Sequence, residues 1–466
     1  MSLTSRRAFL QSAGLAVAGA ALPASRFGSI RIRQSADPWT MADTILRRIS
    51  APRFPDREFD ITRFGAVAGG SADATSAIRD AIAACERAGG GRVLVPAGRF
   101  LTGAIHLKNG VNLHLHDDAT LLFSRDPNAY LPVVFTRFEG VELMNFSPFV
   151  YAFEAENIAV TGRGTLDGQA DAEHWWPWPR IQGPDRTRLI DLAAKGVPVA
   201  ERVFGDGHVL RPNFIQPYRS RNVLIEGVTI VNSPMWEIHP CLCTNVIVRD
   251  VTISSHGPNN DGCDPESCTD VLIERCSFDT GDDCIAIKSG RNDDGRRVNV
   301  PVQNVIVRDC QMKDGHGGVT IGSEISGGAR QIFAEHCRMD SPRLDRVLRF
   351  KNNAARGGLV ERVAMRDVTV GEVAEAIVAA DFFYEEGRNG KFTPILRDVD
   401  VRNVTSRKSK YAFLLRGFAE SPIANVRVSD CRFDGVADGD VLEGVKDLTL
   451  ANVTVNGRRR DERISR

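Results

Sequence analysis

One phrase recurs down the C-terminal half of this 466-residue chain. It reads NVLIEGVTI from Asn222, NVIVRDVTI from Asn245, DVLIERCSF from Asp270 and NVIVRDCQM from Asn304. It continues as QIFAEHCRM from Gln331, VERVAMRDVTV from Val360, LRDVDVRNVTS from Leu396, NVRVSDCRF from Asn425 and KDLTLANVTV from Lys446. The first two steps are 23 and 25 residues long. Each unit holds an alternating strand, a polar break and a second short strand. Such a unit cannot bury its apolar side alone, so successive units must stack. The predicted fold is all-β: a right-handed, single-stranded parallel β-helix. A leucine-rich horseshoe would need leucines at fixed places, and these are absent.

Aligned, the phrases share one column: Val228, Val251, Cys276, Cys310, Cys337, Val368, Val404, Cys431 and Val453. Cysteine alternates there with valine, so it is read as a small buried apolar side chain carrying a free thiol. A bridge between Cys263 and Cys268 stays open as an alternative. Zinc is disfavoured because no histidine pairs with these cysteines at ligand spacing.

The repeats need a cover at their open end. Phe59 to Val67 reads as a strand, Asp73 to Arg87 as an amphipathic helix and Arg92 to Pro96 as a strand. Asp73 or Thr75 can cap the helix, and Gly89-Gly90-Gly91 stops it. This short helix is the predicted N-terminal cap. Its glycines follow the helix and do not precede it, which argues against a nucleotide fold. The expected divisions are an export signal over 1–24, a weakly patterned arm over 25–55 and the β-helix over 56–456. The basic tail over 457–466 is expected to be disordered. The repeat is interrupted between Gly168 and Pro217 by an insert carrying His174-Trp175-Trp176-Pro177-Trp178. Those rings either form a sugar-stacking wall or pin the loop down.

Lys plus Arg and Asp plus Glu each number 59. Zero net charge points neither to nucleic acid nor to a membrane surface. Ser5-Arg6-Arg7-Ala8-Phe9-Leu10, an apolar run to Ala21 and Leu22-Pro23-Ala24 read as a twin-arginine export signal. The run is short for stable membrane insertion, which takes about 20 apolar residues. The expected location is periplasmic or secreted.

Chemistry concentrates between Pro258 and Lys351. Asp282 follows Asp261 by 21 residues, and His316 and Arg349 follow at steps of 33 from Asp283. One coil, or one coil with a loop such as Gly290 to Arg297, returns the chain to the same place each time. Neighbouring strands lie roughly 4.8 Å apart, so three carboxylates are expected side by side. They cannot all ionise cheaply, and one pKa is expected to rise. A protonated acid beside an ionised carboxylate is the equipment of glycoside hydrolysis. Adjacent strand residues point to opposite faces, and Gly281 supplies the bend that lets Asp282 and Asp283 share one groove. Lone aspartates are usually turn caps; it is the full set that argues for chemistry.

Four motifs carry a resemblance: Asn259-Asn260-Asp261, Gly281-Asp282-Asp283, Gly315-His316-Gly317 and Arg349-Phe350-Lys351. In this order they resemble the signatures of glycoside hydrolase family 28, the polygalacturonases and related pectin hydrolases. Asn260 and Phe350 depart from the usual Thr and Ile. The resemblance implies an inverting hydrolase without cofactor or metal, acting on an acidic plant polysaccharide. It implies Asp282 as general acid, Asp261 and Asp283 as activators of water, and His316 as tuner of the acid or orienter of substrate. It implies Arg349 and Lys351 as ligands of a uronate carboxylate. Asn259, Lys288 and His256 are further candidates for the groove, Tyr384 is a weak candidate for the family's site tyrosine, and Glu324 reads as structural. The long insert points to cutting from a chain end. Rhamnogalacturonan and xylogalacturonan remain alternative substrates. A pectate lyase and a non-catalytic carbohydrate-binding β-helix are the rivals from other classes.

Overall fold

The computed structural model describes residues 37–466. The export-signal reading and the first part of the arm lie outside the described residues.

The repeated phrases form the coils of a right-handed parallel β-helix. One inward column stacks Val223, Val246, Val271, Val305, Ile332, Val363, Val399, Val426 and Leu448 in unbroken parallel register. β-Branched residues dominate it because they fit the pleated interior surface. The cysteine–valine column is buried throughout, and Cys263 and Cys268 are buried free thiols too, which overturns the possible bridge between them.

Each phrase carries a residue in the left-handed backbone region at or near its start and another at its break. Asn222, Asn245, Asp270 and Asn304 open their phrases at φ of 55° to 60°, and Asp250, Asp309 and Asp430 break theirs at 54° to 56°. Asn and Asp tolerate this region better than other side-chain-bearing residues. Their amides also stack between coils. Asn222 donates to Asn157 at 2.9 Å, Asn245 to Asn222 at 2.8 Å and Asn304 to Asp270 at 2.9 Å.

The cap forms as expected, as a helix (α2) over Thr75–Arg87. Asp73 accepts from the Thr75 amide at 2.8 Å. The strand read over Phe59 to Val67 is shorter: Glu58–Asp60, followed by a 3-10 turn at Ile61–Phe64 in which Asp60 accepts from the Thr62 amide. The arm corrects the sequence reading. Pro38–Leu46 is a helix (α1) laid across the outside of the coils, where Trp39, Ala42 and Ile45 cover Ala159, Leu224, Ile247, Leu272, Ile306, Phe333 and Ala364. The basic tail is also corrected. Arg458–Ile464 is a strand antiparallel to Val445–Val455, held by alternate charges such as Arg463 with Asp447 at 2.8 Å. It covers the last coil's strand edge, which would otherwise present unpaired backbone groups.

The insert contains a helix (α3) over Gly183–Ala194. Its tryptophans help pin it: Trp175 is buried, and half-buried Trp176 donates to Ser233 O at 2.8 Å. The loop read over Gly290 to Arg297 is mostly a short helix (α4), Asn292–Val298.

Candidate active site

A second parallel sheet runs through Ile285–Ile287, Val319–Ile321, Arg346–Lys351, Ala376–Asp381 and Tyr411–Arg416. The predicted site residues sit on it or at its entry. Register places Thr320 beside Arg349 and Ala286 beside Thr320. Small residues leave room around the acids. A Cβ on Gly317 would come within 2.8 Å of Asp283 Oδ1 and 2.2 Å of the Thr320 hydroxyl.

Asp261, Asp282 and Asp283 come together with oxygens within 4.8 Å of one another. Their surroundings differ. Asp283 is fully buried and accepts from Lys351 Nζ at 2.6 Å, Thr320 Oγ1 at 2.9 Å and Arg349 Nη1 at 3.1 Å. Burial opposes its charge, but Lys351 and Arg349 outweigh that and hold Asp283 well below the usual carboxylate range. Asp261 is buried with Lys288 Nζ 3.7 Å away. Burial, reinforced by the charge of Asp282, pushes Asp261 well above the usual range. Asp282 faces outward, its side chain 19% exposed against 4% for Asp261 and 0% for Asp283. Its Oδ1 accepts from the Asp283 amide at 3.0 Å and lies 3.0 Å from His316 Nδ1. That contact raises the His316 pKa against the opposing effect of burial. The expected rise in one carboxyl pKa is therefore found, and it falls on Asp261. Asp282 is the acid that a bound ligand can reach.

Lys288 belongs to the floor. It lies 3.2 Å from Glu324 and 4.3 Å from the centre of the Trp236 ring. Glu324, read as structural, joins the site through it. Burial disfavours the Glu324 charge, yet Lys288 and Arg291 hold it below its ordinary range. Ion pairs then run from Asp261 through Lys288 and Glu324 to Arg291 (3.6 Å), Glu139 (2.9 Å) and Arg186 of α3 (2.6 Å). The insert is thus tied to the floor of the candidate site by charge. Tyr384 sits over the cations, its ring centre 5.5 Å from Lys351 Nζ and 5.8 Å from the Arg349 guanidinium.

Two candidates are placed differently. Asn259 Oδ1 accepts from buried Arg211 at 2.7 Å, so it holds a neighbouring side chain where a ligand contact was expected. His256 pairs with Asp279 at 3.1 Å on the rim and is not joined to the three carboxylates. Asn260, at a position that departs from the family signature, pins the turn. Its oxygen accepts from the Gly257 amide at 2.8 Å and the Ser255 hydroxyl at 2.7 Å. Sequence reasoning missed Arg291, Glu139 and the buried acids Asp264 and Glu237. Asp264 follows Asp261 by three residues and was legible in the same motif.

The carboxylate cluster also has the spacing of a cation site. Lys351 and Arg349 already occupy both oxygens of Asp283, and Lys288 faces Asp261, so side-chain cations supply the charge that a metal would bring.

Carboxylates in graded ionisation states on a parallel β-helix, beside cations able to hold an acidic sugar, define a glycoside hydrolase. The family model for glycosyl hydrolases family 28 matches residues 205–458, and the chain belongs to that family. A hyperthermoactive exopolygalacturonase from Thermotoga maritima is 44% identical, with 92% of this chain and 98% of that one covered at a TM-score of 0.89. A probable polygalacturonase from Vitis vinifera is 28% identical, covering 79% of this chain and 72% of its own. An exo-poly-alpha-D-galacturonosidase from Dickeya chrysanthemi is 28% identical, covering 86% and 74%.

Proposed function

We propose that this enzyme hydrolyses α-galacturonosyl linkages of pectin from a chain end, by a single displacement. The observation that carries the reading is the division of labour among the three aspartates. Asp282, the reachable acid, protonates the leaving glycosidic oxygen. Asp261 and Asp283, buried side by side, hold the water and take its proton. Burial favours the proton on Asp261, whereas general-acid action needs a proton on Asp282 and an ionised Asp261 as base. No direct hydrogen bond joins the two carboxyls, so the exchange runs through a water held between them.

Arg349 bonds Asp283 and His316 O through Nη1, and its other nitrogens have no hydrogen-bond partner among the described residues. Those donors suit a uronate carboxylate. Chain-end action is supported by the names of the Thermotoga maritima and Dickeya chrysanthemi relatives and by the ion-pair chain that ties α3 to the floor. Residues 1–24 fit removal after twin-arginine export, which would put the enzyme in the periplasm or outside the cell, where pectin is met. Among the described residues no helix is long and apolar enough to cross a membrane.

The test is product analysis on de-esterified polygalacturonate. Early galacturonate monomer or dimer without ultraviolet absorbance supports the reading. A ladder of intermediate oligomers overturns chain-end action, and ultraviolet-absorbing products overturn hydrolysis in favour of a lyase. Proton NMR of the first product reads the stereochemistry. The oxygens here are closer than the roughly 6.5–9.5 Å separation usual for an inverting pair. Initial release of the β-anomer supports single displacement, and the α-anomer overturns it.

A further inference from the structure

The turn that carries Asp261 is held by a buried cation that the mechanism above does not use. Arg211, near the end of the insert, is 1% exposed. Its Nη1 donates to Pro234 O and to Pro258 O, each at 2.7 Å, and its Nη2 to Asn259 Oδ1 at 2.7 Å. Arg137, Arg202 and Arg356 are as deeply buried, and each meets a carboxylate: Glu266 at 3.0 Å, Asp294 at 2.6 Å and Glu385 at 2.6 Å. Arg211 has no ion-pair partner among the described residues, and its bonds go to two backbone carbonyls and one side-chain amide. A charge buried against neutral acceptors costs stability. Burial lowers the Arg211 pKa to about 10, which leaves the cation intact near neutral pH.

What those bonds secure is the backbone around Asp261. Pro234 and Pro258 lie on the turns of successive coils. Asn260 ties the same two turns, its Nδ2 donating to Ser233 O at 3.1 Å and to Met235 O at 3.2 Å. The next coil rests on this turn. The Asp282 amide donates to Asn260 O at 3.2 Å, and the Gly262 amide to Asp283 O at 3.0 Å. We infer that Arg211 is a positioning residue for Asp261: it locks the Pro258–Asn259 turn onto the coil before it, and so fixes the spacing of Asp261 from Asp282 and Asp283 on the coil after it. This rests on the proposed roles of those aspartates. A displacement of about 1 Å at a reacting group can cost about 100-fold in rate. Lysine keeps the charge but lacks the planar fork that serves these acceptors together.

The test is steady-state kinetics of full-chain variants on polygalacturonate, with thermal melts alongside. Arg211→Lys is expected to lose about 10-fold in kcat and Arg211→Met about 100-fold, with KM within about twofold of the parent in both. A raised KM with kcat kept overturns the proposal, because it makes Arg211 a ligand of substrate. A lowered melting temperature with full kcat per folded molecule also overturns it, because the role is then structural only. Asn259→Ala covers an Arg211 variant that fails to fold, since it removes one of the three bonds at a half-buried position. It is expected to lose about 3- to 10-fold in kcat; full kcat there sinks the idea. Adding Asn259→Ala to Arg211→Met should cost nothing further, since both act through one turn. Losses that multiply instead would place the two residues in separate roles and overturn the proposal. Failure of the parent reading is distinguishable, since it would appear as full activity in Asp261→Asn.

Discussion

The catalytic floor and the arm-covered back of the coil are built on the same repeat, yet they are opposite kinds of surface. On the back, outward positions are apolar from Ala159 to Ala364, and α1 closes over them with its Trp39 ring 5.6 Å from Phe333. Its edge is stitched down by Arg48 to Asp270 at 2.8 Å and by Ser50, whose amide and carbonyl both meet the Asn245 side chain. On the floor, equivalent outward positions carry Asp264, Lys288, Arg349 and Lys351, and several buried acid oxygens have no donor. Burial stabilises the first surface and strains the second. The comparison teaches that the coil's interior column supports the strain, freeing the outer positions of one face for chemistry.

Substitutions on the two faces should therefore separate activity from stability. The largest effect is expected at Asp282. Asp282→Asn should lower kcat by about 10²- to 10⁴-fold, the usual contribution of a positioned acid, with an unchanged melting temperature. Reducing-sugar release and thermal melts read both, and a coupled loss of stability would erase the contrast. Next comes Trp39→Ala, which should cost about 3–5 kcal/mol by emptying the site against Phe333. Denaturant unfolding measures it, and kcat of the folded fraction should not move. Lys351→Ala should do both kinds of damage, because it leaves buried Asp283 Oδ2 without its donor, with Arg349 and Thr320 bonding only Oδ1. A stability loss of about 1–3 kcal/mol is expected, with uronide hydrolysis weakened far more than that of neutral oligosaccharides. Equal loss on both substrate types would remove Lys351 from uronate recognition.

The smallest effect concerns pH. The folded pKa of His316 is raised by Asp282. Its bond is therefore fully stabilising below the unfolded histidine value of about 6.5 and is lost as pH rises through the raised folded value. His316→Ala should melt slightly below the parent at pH 5 and alongside it at pH 9. The same gap at both values would show that ring packing, not charge, is at work.

Much of this was legible in order along the chain. The phrase spacing named the coil, and the Cys–Val column named its interior, because both follow from a period and a pattern. The three aspartates and Arg349 were legible because their spacing is that of whole coils. The back face was not. Trp39, Ala42 and Ile45 form a helix too short for its pattern to stand out, and its partners are scattered over seven coils. The tail misled because its charges read as solvated, whereas pairing with the preceding strand satisfies them. The bond from Arg211 to Asn259 was not legible either, because a partner 48 residues away is invisible to a local motif.

The sequence by itself determined the fold, the coil register and the identity of the acids, since these depend on repeat length and residue type. Tertiary structure alone decided how the surroundings of the three acids differ. Asp261, Asp282 and Asp283 are chemically the same side chain. One is buried behind a lysine, one faces the groove beside a histidine, and one is clamped by two cations. A carboxyl pKa is set by burial and by charges a few ångströms away, and those distances exist only once the coil has closed.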